Sequence, residues 1–120
     1  GRVTEGDRIG RSIGYPTANL IIDQGKLLPA NGVYSVEVRL ENNTYFGMLN
    51  IGRRPTLNKP DEMRVEVHIF AYRGNLYGRE IRLDIHRRIR DERRFDNLDD
   101  LKQQLQKDEA YCKTFFGLSN

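Results

Sequence analysis

The sequence has little cysteine and no long apolar run, and both shortages limit what the chain can be. Cys112 is the single cysteine among 120 residues, so a disulfide within the chain is impossible and a reducing, cytoplasmic setting is expected. No stretch approaches the roughly 20 apolar residues of a membrane-spanning helix, and the opening residues contain no signal-peptide core. We therefore expect one soluble domain with one core and no membrane partner.

The motifs of common nucleotide and zinc sites are also missing. The P-loop pattern GxxxxGK[ST] does not occur, and no GxGxxG segment lies between a strand and a helix, so neither of those nucleotide-binding folds is supported. His68 and His86 have no cysteine or second histidine at a zinc spacing. Both are expected to be surface or hydrogen-bonded side chains, and no internal repeat or linker divides residues 1–120.

The charge balance is weakly basic. Twenty basic residues against 17 acidic ones give a net charge of +3 and a pI near 9.2, which favours an anionic partner. The densest basic run, from Arg87 to Arg94, is interrupted by Asp91 and Glu92. Nucleotide phosphates would satisfy the excess as well as nucleic acid would, so a small basic β-barrel that binds nucleic acid stays open as an alternative.

Period-two alternation of apolar residues predicts strands across the middle of the chain. Four runs carry it, at residues 34–40, 44–51, 65–71 and 81–89. In the second run apolar residues occupy both parities, so both faces of that strand are expected to be covered. The glycine-containing segment 73–75 predicts a turn that joins the last two runs as a hairpin.

The third run separates two kinds of side chain. Its aliphatic residues share one face of the strand, because successive side chains point to opposite sides of a sheet. They are Val65, Val67, Ile69 and Ala71. Glu66, His68 and Phe70 are therefore expected on the opposite face.

From Asp96 onward the apolar spacing becomes helical. Residues three, four or seven apart form an apolar stripe: Leu98, Leu101, Leu105, Cys112 and Phe115. Asp96 is the predicted N-cap and Gly117 the predicted stop, and Cys112 is expected to be a small buried residue. Short strands followed by one helix favour an antiparallel barrel or sandwich with the helix packed against it.

The glycine-rich start is a first candidate for phosphate binding. Gly6, Gly10 and Gly14 recur at a spacing of four, and glycines let a backbone approach phosphates closely. Arg11 lies between two of them and could reach a phosphate. Spaced glycines alone are weak evidence for such a site.

The segment that follows the glycines could bind a metal ion. Pro16 fixes its own φ and holds Tyr15 extended. If the segment continues as a strand, the hydroxyl of Thr17 and the amide of Asn19 face the same way. Oxygen ligands of this kind suit Mg²⁺, although a proline-stiffened turn with an asparagine cap explains the same residues.

Farther along the chain, three kinds of side chain could serve a second substrate. Glu66 could accept a proton from an alcohol, although strands often carry a glutamate on a solvated face. Arg90 could orient a substrate at the junction of strand and helix. The aromatic rings of Tyr15, Tyr77 and Phe95 could stack on a flat ring, although scattered aromatics are more often core.

Taken in order, these segments resemble the riboflavin kinase family. Six blocks match its pattern, at residues 10–19, 28–34, 50–56, 65–68, 76–78 and 89–95. The resemblance implies a six-stranded antiparallel β-barrel of Greek-key type with a C-terminal helix, which binds MgATP on one side and riboflavin on the other. Tyr15 and Leu57 depart from a common Phe, and Val67 from a common Thr.

The same resemblance implies roles for individual residues. Thr17 and Asn19 match the positions that contact magnesium and phosphate, and Glu66 matches the catalytic base. The nucleotide-binding positions also include Gly10, Arg11, Gly14 and Pro16. The positions on the flavin side are Tyr77, Arg90 and Phe95.

The expected reaction is transfer of the γ-phosphate of ATP to the terminal hydroxyl of riboflavin, which yields FMN and ADP. Bacterial members of the family usually carry an N-terminal FMN adenylyltransferase domain, so residues 1–120 are expected to be the excised C-terminal domain of a bifunctional enzyme. The isolated domain is expected to be a monomer without a nucleic-acid partner. A non-catalytic flavin-binding module is the other reading left open.

Overall fold

The computed structural model describes residues 1–4, 11–22, 28–72, 74 and 76–118, without the side chains of 54–56 and 59–62. Gly6 and Gly10 of the glycine-rich start, and Arg73 and Asn75 of the predicted turn, lie outside the described residues. The strands are β1 (Arg2–Thr4), β2 (Ala18–Ile21), β3 (Gly32–Leu40), β4 (Asn43–Thr56), β5 (Lys59–Ile69) and β6 (Arg82–Arg90), and the long helix is α1 (Leu98–Phe116).

The strands form one antiparallel sheet in the order β1-β2-β5-β4-β3-β6. Three consecutive strands, β3 to β5, are neighbours, and β6 returns to lie beside β3, which is the Greek-key arrangement. The prediction of a mainly β domain with six antiparallel strands and a C-terminal helix is confirmed.

The two edges of this sheet are joined only in part, so the predicted barrel is only loosely supported. Among the described residues, β1 meets the segment just before β6 through one isolated bridge, between Arg2 and Glu80. Main-chain hydrogen bonds add to it, from Val3 N to Arg79 O at 2.9 Å and from Ile81 N to the first carbonyl of the chain at 3.0 Å. No continuous ladder links β1 to β6 in this part of the chain.

The hairpin predicted between the third and fourth apolar runs is wrong. β6 pairs with β3, because β2 and β4 already occupy both edges of β5. β5 ends at Ile69, and Ala71 lies in an exposed turn with a φ of 56°, so it does not extend the aliphatic face as expected. A local turn signal does not specify the strand to which the chain returns.

Alternation along the strands divides the sheet into two faces with separate cores. The larger core is aliphatic and includes Val36, Val38, Leu49, Ile51 and Val67. The smaller core lies on the opposite face and contains Tyr15, Val33, Met48, Phe70 and Cys112. Because β4 supplies Leu49 to one core and Met48 to the other, the prediction that both its faces are covered is confirmed, as is the burial of Cys112.

Helix α1 begins and ends close to its predicted bounds. Asn97 is its N-cap, with an extended backbone (φ −148°, ψ 167°) and a side chain that accepts a hydrogen bond from Asp100 N at 2.9 Å. The predicted N-cap, Asp96, is therefore wrong by one residue, because the cap is the last extended residue and not simply the first short polar one. Gly117 ends the helix with a φ of 70°, as predicted.

The helix covers the face of the smaller core and packs mainly against β4. Of the predicted stripe, Leu98 and Phe115 are 50% and 40% exposed, because they lie at the ends of the helix. Asp108 and Cys112 are its buried residues. No helix within the described ranges is long and apolar enough to cross a membrane.

The segment before β2 is held to the helix and the sheet. The Tyr15 hydroxyl donates to Glu109 Oε1 at 2.9 Å, and burial together with this bond raises the pKa of the phenol to about 12. His68 Nδ1 lies 2.7 Å from Pro16 O, and because a carbonyl can only accept, this nitrogen carries the proton. Burial lowers the pKa of the His68 imidazole despite that bond. Both contacts immobilise the backbone that leads into Thr17.

Part of the loss of stability in mild acid should come from His68. Its folded-state pKa is below the ordinary 6.5, so the unfolded chain binds the proton more readily. The contribution of His68 to the free energy of unfolding is fully present above pH 6.5, and it is lost as the pH falls from 6.5 towards the lowered folded-state pKa. In urea unfolding, the free energy of unfolding should decline less steeply between pH 7 and pH 5 for His68→Gln than for the unmodified chain.

The matched control is His86→Gln, because His86 pairs with Glu37 at 3.2 Å and makes no contact with Pro16. The steeper decline should persist in that variant. Equal slopes for His68→Gln and the unmodified chain would contradict the role of His68.

Candidate active site

One row of residues crosses five strands and carries several of the predicted site residues. Asn19 of β2 lies opposite Glu66 of β5, and Glu66 lies opposite Asn50 of β4. Asn50 faces Val33 of β3, which in turn faces Arg90 of β6. Directly opposite residues of antiparallel strands lie about 5 Å apart and point to the same face. Because Val33 belongs to the smaller core, this is the face that helix α1 covers.

Arg90 reaches this row because the ladder between β3 and β6 is irregular. The ladder runs regularly as far as the pair Val36 and Ile85, and an uninterrupted continuation would set Arg88 opposite Val33. Two register shifts follow that pair and place Arg90 there instead. Bulges of this kind re-aim side chains, and no local feature of the sequence indicated these two.

A first cavity, of about 540 Å³, is lined by three of the six predicted nucleotide-binding residues. Arg11, Pro16 and Thr17 line it, together with Tyr77. Gly14, just before this segment, has a φ of 89°, a conformation that favours glycine. The cavity thus joins one cationic side chain to a stiffened backbone segment, a combination suited to an anionic group.

A second cavity, of about 160 Å³, shares Thr17 with the first. Glu66, Arg90 and Phe95 also line it. Much of the remaining wall is apolar and comes from Tyr15, Val33, Met48, Leu49, Leu101 and Leu105. Tyr77, expected on the flavin side with Arg90 and Phe95, lines the first cavity and not the second. Among the described predicted site residues, Thr17 alone lines both cavities.

Glu66 lies at the meeting point of the second cavity and a third. Its side chain is 12% exposed and accepts a hydrogen bond from Arg64 Nη2 at 2.7 Å. The two residues are two apart in β5 and share a face, so the ion pair orients the carboxylate. The third cavity, of about 380 Å³, is lined by Asn50, Gly52, Arg53, Arg64, Glu66, Glu92 and Arg94.

Sequence reasoning missed Asp108. Its side chain is 2% exposed, and it accepts hydrogen bonds from Arg90 Nε at 3.0 Å and from Arg90 Nη2 at 2.8 Å. Gln104, one turn earlier, donates to Asp108 Oδ1 at 3.0 Å. A signal did exist, because Asp108 falls between Leu105 and Cys112 on the apolar stripe, and a buried carboxylate requires a partner.

The metal-ligand candidates fit one kind of ion. Within the described ranges, no group of three or more His, Cys, Asp or Glu residues could hold a metal, so a site made wholly of such ligands is not seen there. Thr17 immediately precedes β2, and Asn19 lies in it opposite Glu66. Their hydroxyl and amide oxygens suit Mg²⁺, which takes few protein ligands and shares the remainder with phosphates and water.

Comparison with known proteins gives a consistent result. The family model described as Flavokinase, riboflavin kinase, matches residues 1–116. Bifunctional riboflavin kinase/FMN adenylyltransferases are 42% identical over 98% of the chain in Haemophilus influenzae and 43% identical over 99% in Escherichia coli K12. The protein of that name in Bacillus subtilis is 36% identical over 98%. The chain spans 38% of the length of each of these relatives.

The fold recurs in a crystal structure from Streptococcus pneumoniae that is described as a macrolide-efflux protein. The two superpose with a TM-score of 0.88 at 39% identity, over 94% of this chain and 37% of that one. The family match along nearly the whole chain and the identity of about 40% to the curated relatives agree with the ordered sequence blocks. The chain therefore belongs to the riboflavin kinase family.

Proposed function

We propose that this chain transfers the γ-phosphoryl group of ATP to the terminal hydroxyl of riboflavin, giving FMN and ADP. The observation that carries the proposal is the position of Thr17, which lines both a cavity containing Arg11 and a cavity containing Glu66. Transfer between two bound substrates requires that their reacting ends meet at one point. The riboflavin kinase names of the relatives support this choice of substrates.

The nucleotide is assigned to the first cavity. Its volume of about 540 Å³ lies within the usual range for a small-molecule site. Arg11 supplies a cation for the phosphates. Tyr77, which is 68% exposed, offers a flat ring on which a base could stack, so we reassign it from the flavin to the nucleotide side.

Riboflavin is assigned to the second cavity and to the third, which continues from it. The apolar wall and Phe95 suit an uncharged aromatic ring system, and Arg90 adds hydrogen-bond donors. Asn50, Glu66 and Glu92 line both of these cavities. A substrate that extends across both would pass directly beside the Glu66 carboxylate.

Glu66 is the proposed general base. It accepts the proton of the ribityl hydroxyl as that oxygen bonds to the γ-phosphorus and the bond from phosphorus to the bridging oxygen breaks. The electron pair of the broken bond leaves with ADP, and the proton passes from Glu66 to solvent after product release. Arg64 holds the carboxylate in place at 2.7 Å.

Thr17 and Asn19 are the proposed protein contacts of magnesium and phosphate. A bound Mg²⁺ would neutralise charge on the β- and γ-phosphates. Gly14 and Pro16 contribute by shaping the backbone, and Tyr15 fastens it to helix α1 through Glu109. Transfer then depends mainly on positioning and electrostatics, as is general for kinases.

The surroundings of the domain are proposed from its relatives. Their printed name joins riboflavin kinase to FMN adenylyltransferase, and this chain spans 38% of their length. We therefore propose an adenylyltransferase domain as its covalent partner, in a cytoplasmic enzyme. As an isolated domain, the chain is proposed to be monomeric.

The arrangement of the basic run does not favour nucleic-acid binding. Arg90 is half-buried and paired with Asp108, and Arg88 pairs with Asp91 at 2.6 Å. Arg93 lies over the Phe95 ring, 5.1 Å from its centre. These arginines therefore do not form one continuous cationic surface of the kind that follows a phosphate backbone.

The reaction can be tested directly by incubating the chain with riboflavin and MgATP and separating the products by chromatography. FMN and ADP should accumulate in equal amounts, and no FAD should form, since adenylylation is assigned to another domain. Omission of riboflavin should abolish ADP formation. Riboflavin binding without any FMN would instead favour a non-catalytic flavin-binding module.

Replacing Glu66 by Gln should lower turnover about 10²–10⁴-fold, the usual contribution of a general base, with nucleotide affinity nearly unchanged. The matched control is Glu37→Gln, because Glu37 is also a strand carboxylate but lines none of the three cavities. Its turnover should match that of the unmodified chain. Turnover is measured by steady-state kinetics. If the two variants had equal turnover numbers, Glu66 would not be the general base.

Replacing Thr17 by Ala should weaken nucleotide binding in the presence of Mg²⁺, because a metal and phosphate contact is deleted while the Pro16 backbone stays in place. Calorimetric titration with ADP, with Mg²⁺ and with excess EDTA, measures the effect. The variant should lose most of the affinity gained from the metal. Thr17→Ser retains the hydroxyl and should keep that gain, so equal losses in both variants would point to packing instead.

A further inference from the structure

The buried Asp108 and the half-buried Arg90 form an ion pair at the wall of the second cavity. The carboxylate is 2% exposed and the guanidinium side chain 19% exposed, and Arg90 itself lines the cavity. Asp108 belongs to helix α1, whereas Arg90 is the last residue of β6. The pair therefore fixes a helix residue against the strand end that faces the proposed flavin site.

The pairing determines what Arg90 can bind. A guanidinium group has five N–H donors, and Asp108 engages those on Nε and Nη2 while Nη1 donates to Asp91 O at 3.0 Å. The carboxylate balances the positive charge, so a second anion such as a phosphate is a poor partner. The remaining N–H groups on Nη1 and Nη2 suit the carbonyl oxygens or ring nitrogens of an uncharged heterocycle.

Arg90 needs an external support to keep this orientation. An arginine side chain is long and has many rotamers, and a guanidinium without a buried partner turns its charged end towards water. Asp108 grips it on one edge, and Gln104 fixes the carboxylate in turn through a hydrogen bond of 3.0 Å. Helix α1 thus presents an already oriented donor group to the cavity.

We propose that Asp108 is a positioning residue for the ring of riboflavin, which acts through Arg90 and touches no substrate. The inference rests on the proposed function, because it takes riboflavin as the ligand of the second cavity. It implies that removing Asp108 weakens the binding of riboflavin but not that of the nucleotide, because Arg90 does not line the nucleotide cavity.

A double-mutant cycle with Asp108→Asn, Arg90→Met and the combined variant tests the proposal. Riboflavin affinity is read from quenching of flavin fluorescence and MgADP affinity from calorimetry, at a temperature where circular dichroism shows each variant folded. Asp108→Asn should weaken riboflavin binding about tenfold and leave MgADP binding within about twofold, a size typical of coupled residues. In the Arg90→Met background the same replacement should have no further effect on riboflavin.

Asp99→Asn is the matched control, because Asp99 lies exposed in the first turn of the same helix. Its riboflavin affinity should not change. Lower stability of Asp108→Asn with unchanged riboflavin affinity would reduce Asp108 to a structural role and overturn the proposal. Equal losses for riboflavin and MgADP, or effects that simply add in the cycle, would overturn it as well.

If Asp108→Asn fails to fold because it leaves a buried charge unpaired, the comparison moves to variants without that charge. Arg90→Met/Asp108→Asn and Arg90→Met/Asp108→Leu, which both lack the two charges, should then bind riboflavin equally, and a clear difference would overturn the proposal. The proposed function is tested separately in the unmodified chain. If the unmodified chain bound riboflavin without producing FMN, the proposed kinase reaction would be refuted. The double-mutant cycle could still be interpreted, because it measures riboflavin affinity and not turnover.

Discussion

The pairing of β5 with β2 on one edge and β4 on the other is the constraint on which the site depends. It sets Glu66 between Asn19 and Asn50 on the face covered by the helix. A slip of one residue would turn Glu66 into the aliphatic core and turn Val65 and Val67, which are 5% and 1% exposed, out of it. Burial of these valines therefore holds the proposed base in position, so the core and the site share one register.

Helix α1 connects the two proposed substrate regions to a single rigid element. Asp108 holds Arg90 at the second cavity. The next helix residue, Glu109, accepts a hydrogen bond of 2.9 Å from the hydroxyl of Tyr15, which lies two residues before Thr17. Each contact has one buried partner, Asp108 at 2% and Tyr15 at 7% exposed, and a buried polar group makes stronger hydrogen bonds and is costly to leave unpaired. The helix thus orients both regions as well as closing the smaller core.

Two arginines in different surroundings distinguish the two proposed ligands. Arg11 is exposed at the first cavity, where a cation can meet phosphates. Arg90 is half-buried and balanced by the buried Asp108, so it offers hydrogen-bond donors without excess charge. The same residue type can therefore favour an anion in one cavity and a neutral ring in the other.

The sequence by itself determined four of the six strands, the helix and, apart from Ala71, the face on which the residues of the third run lie, because these follow from local periodicity. Glu66 lies opposite the valines as predicted, and Gly117 ends the helix. Tertiary structure alone decided that β6 pairs with β3, that Tyr77 lines the first cavity and that Asp108 meets Arg90. Periodicity specifies the face on which a side chain lies but not the distant element that packs against it. That choice depends on which strand edges remain free and which buried charges can be paired.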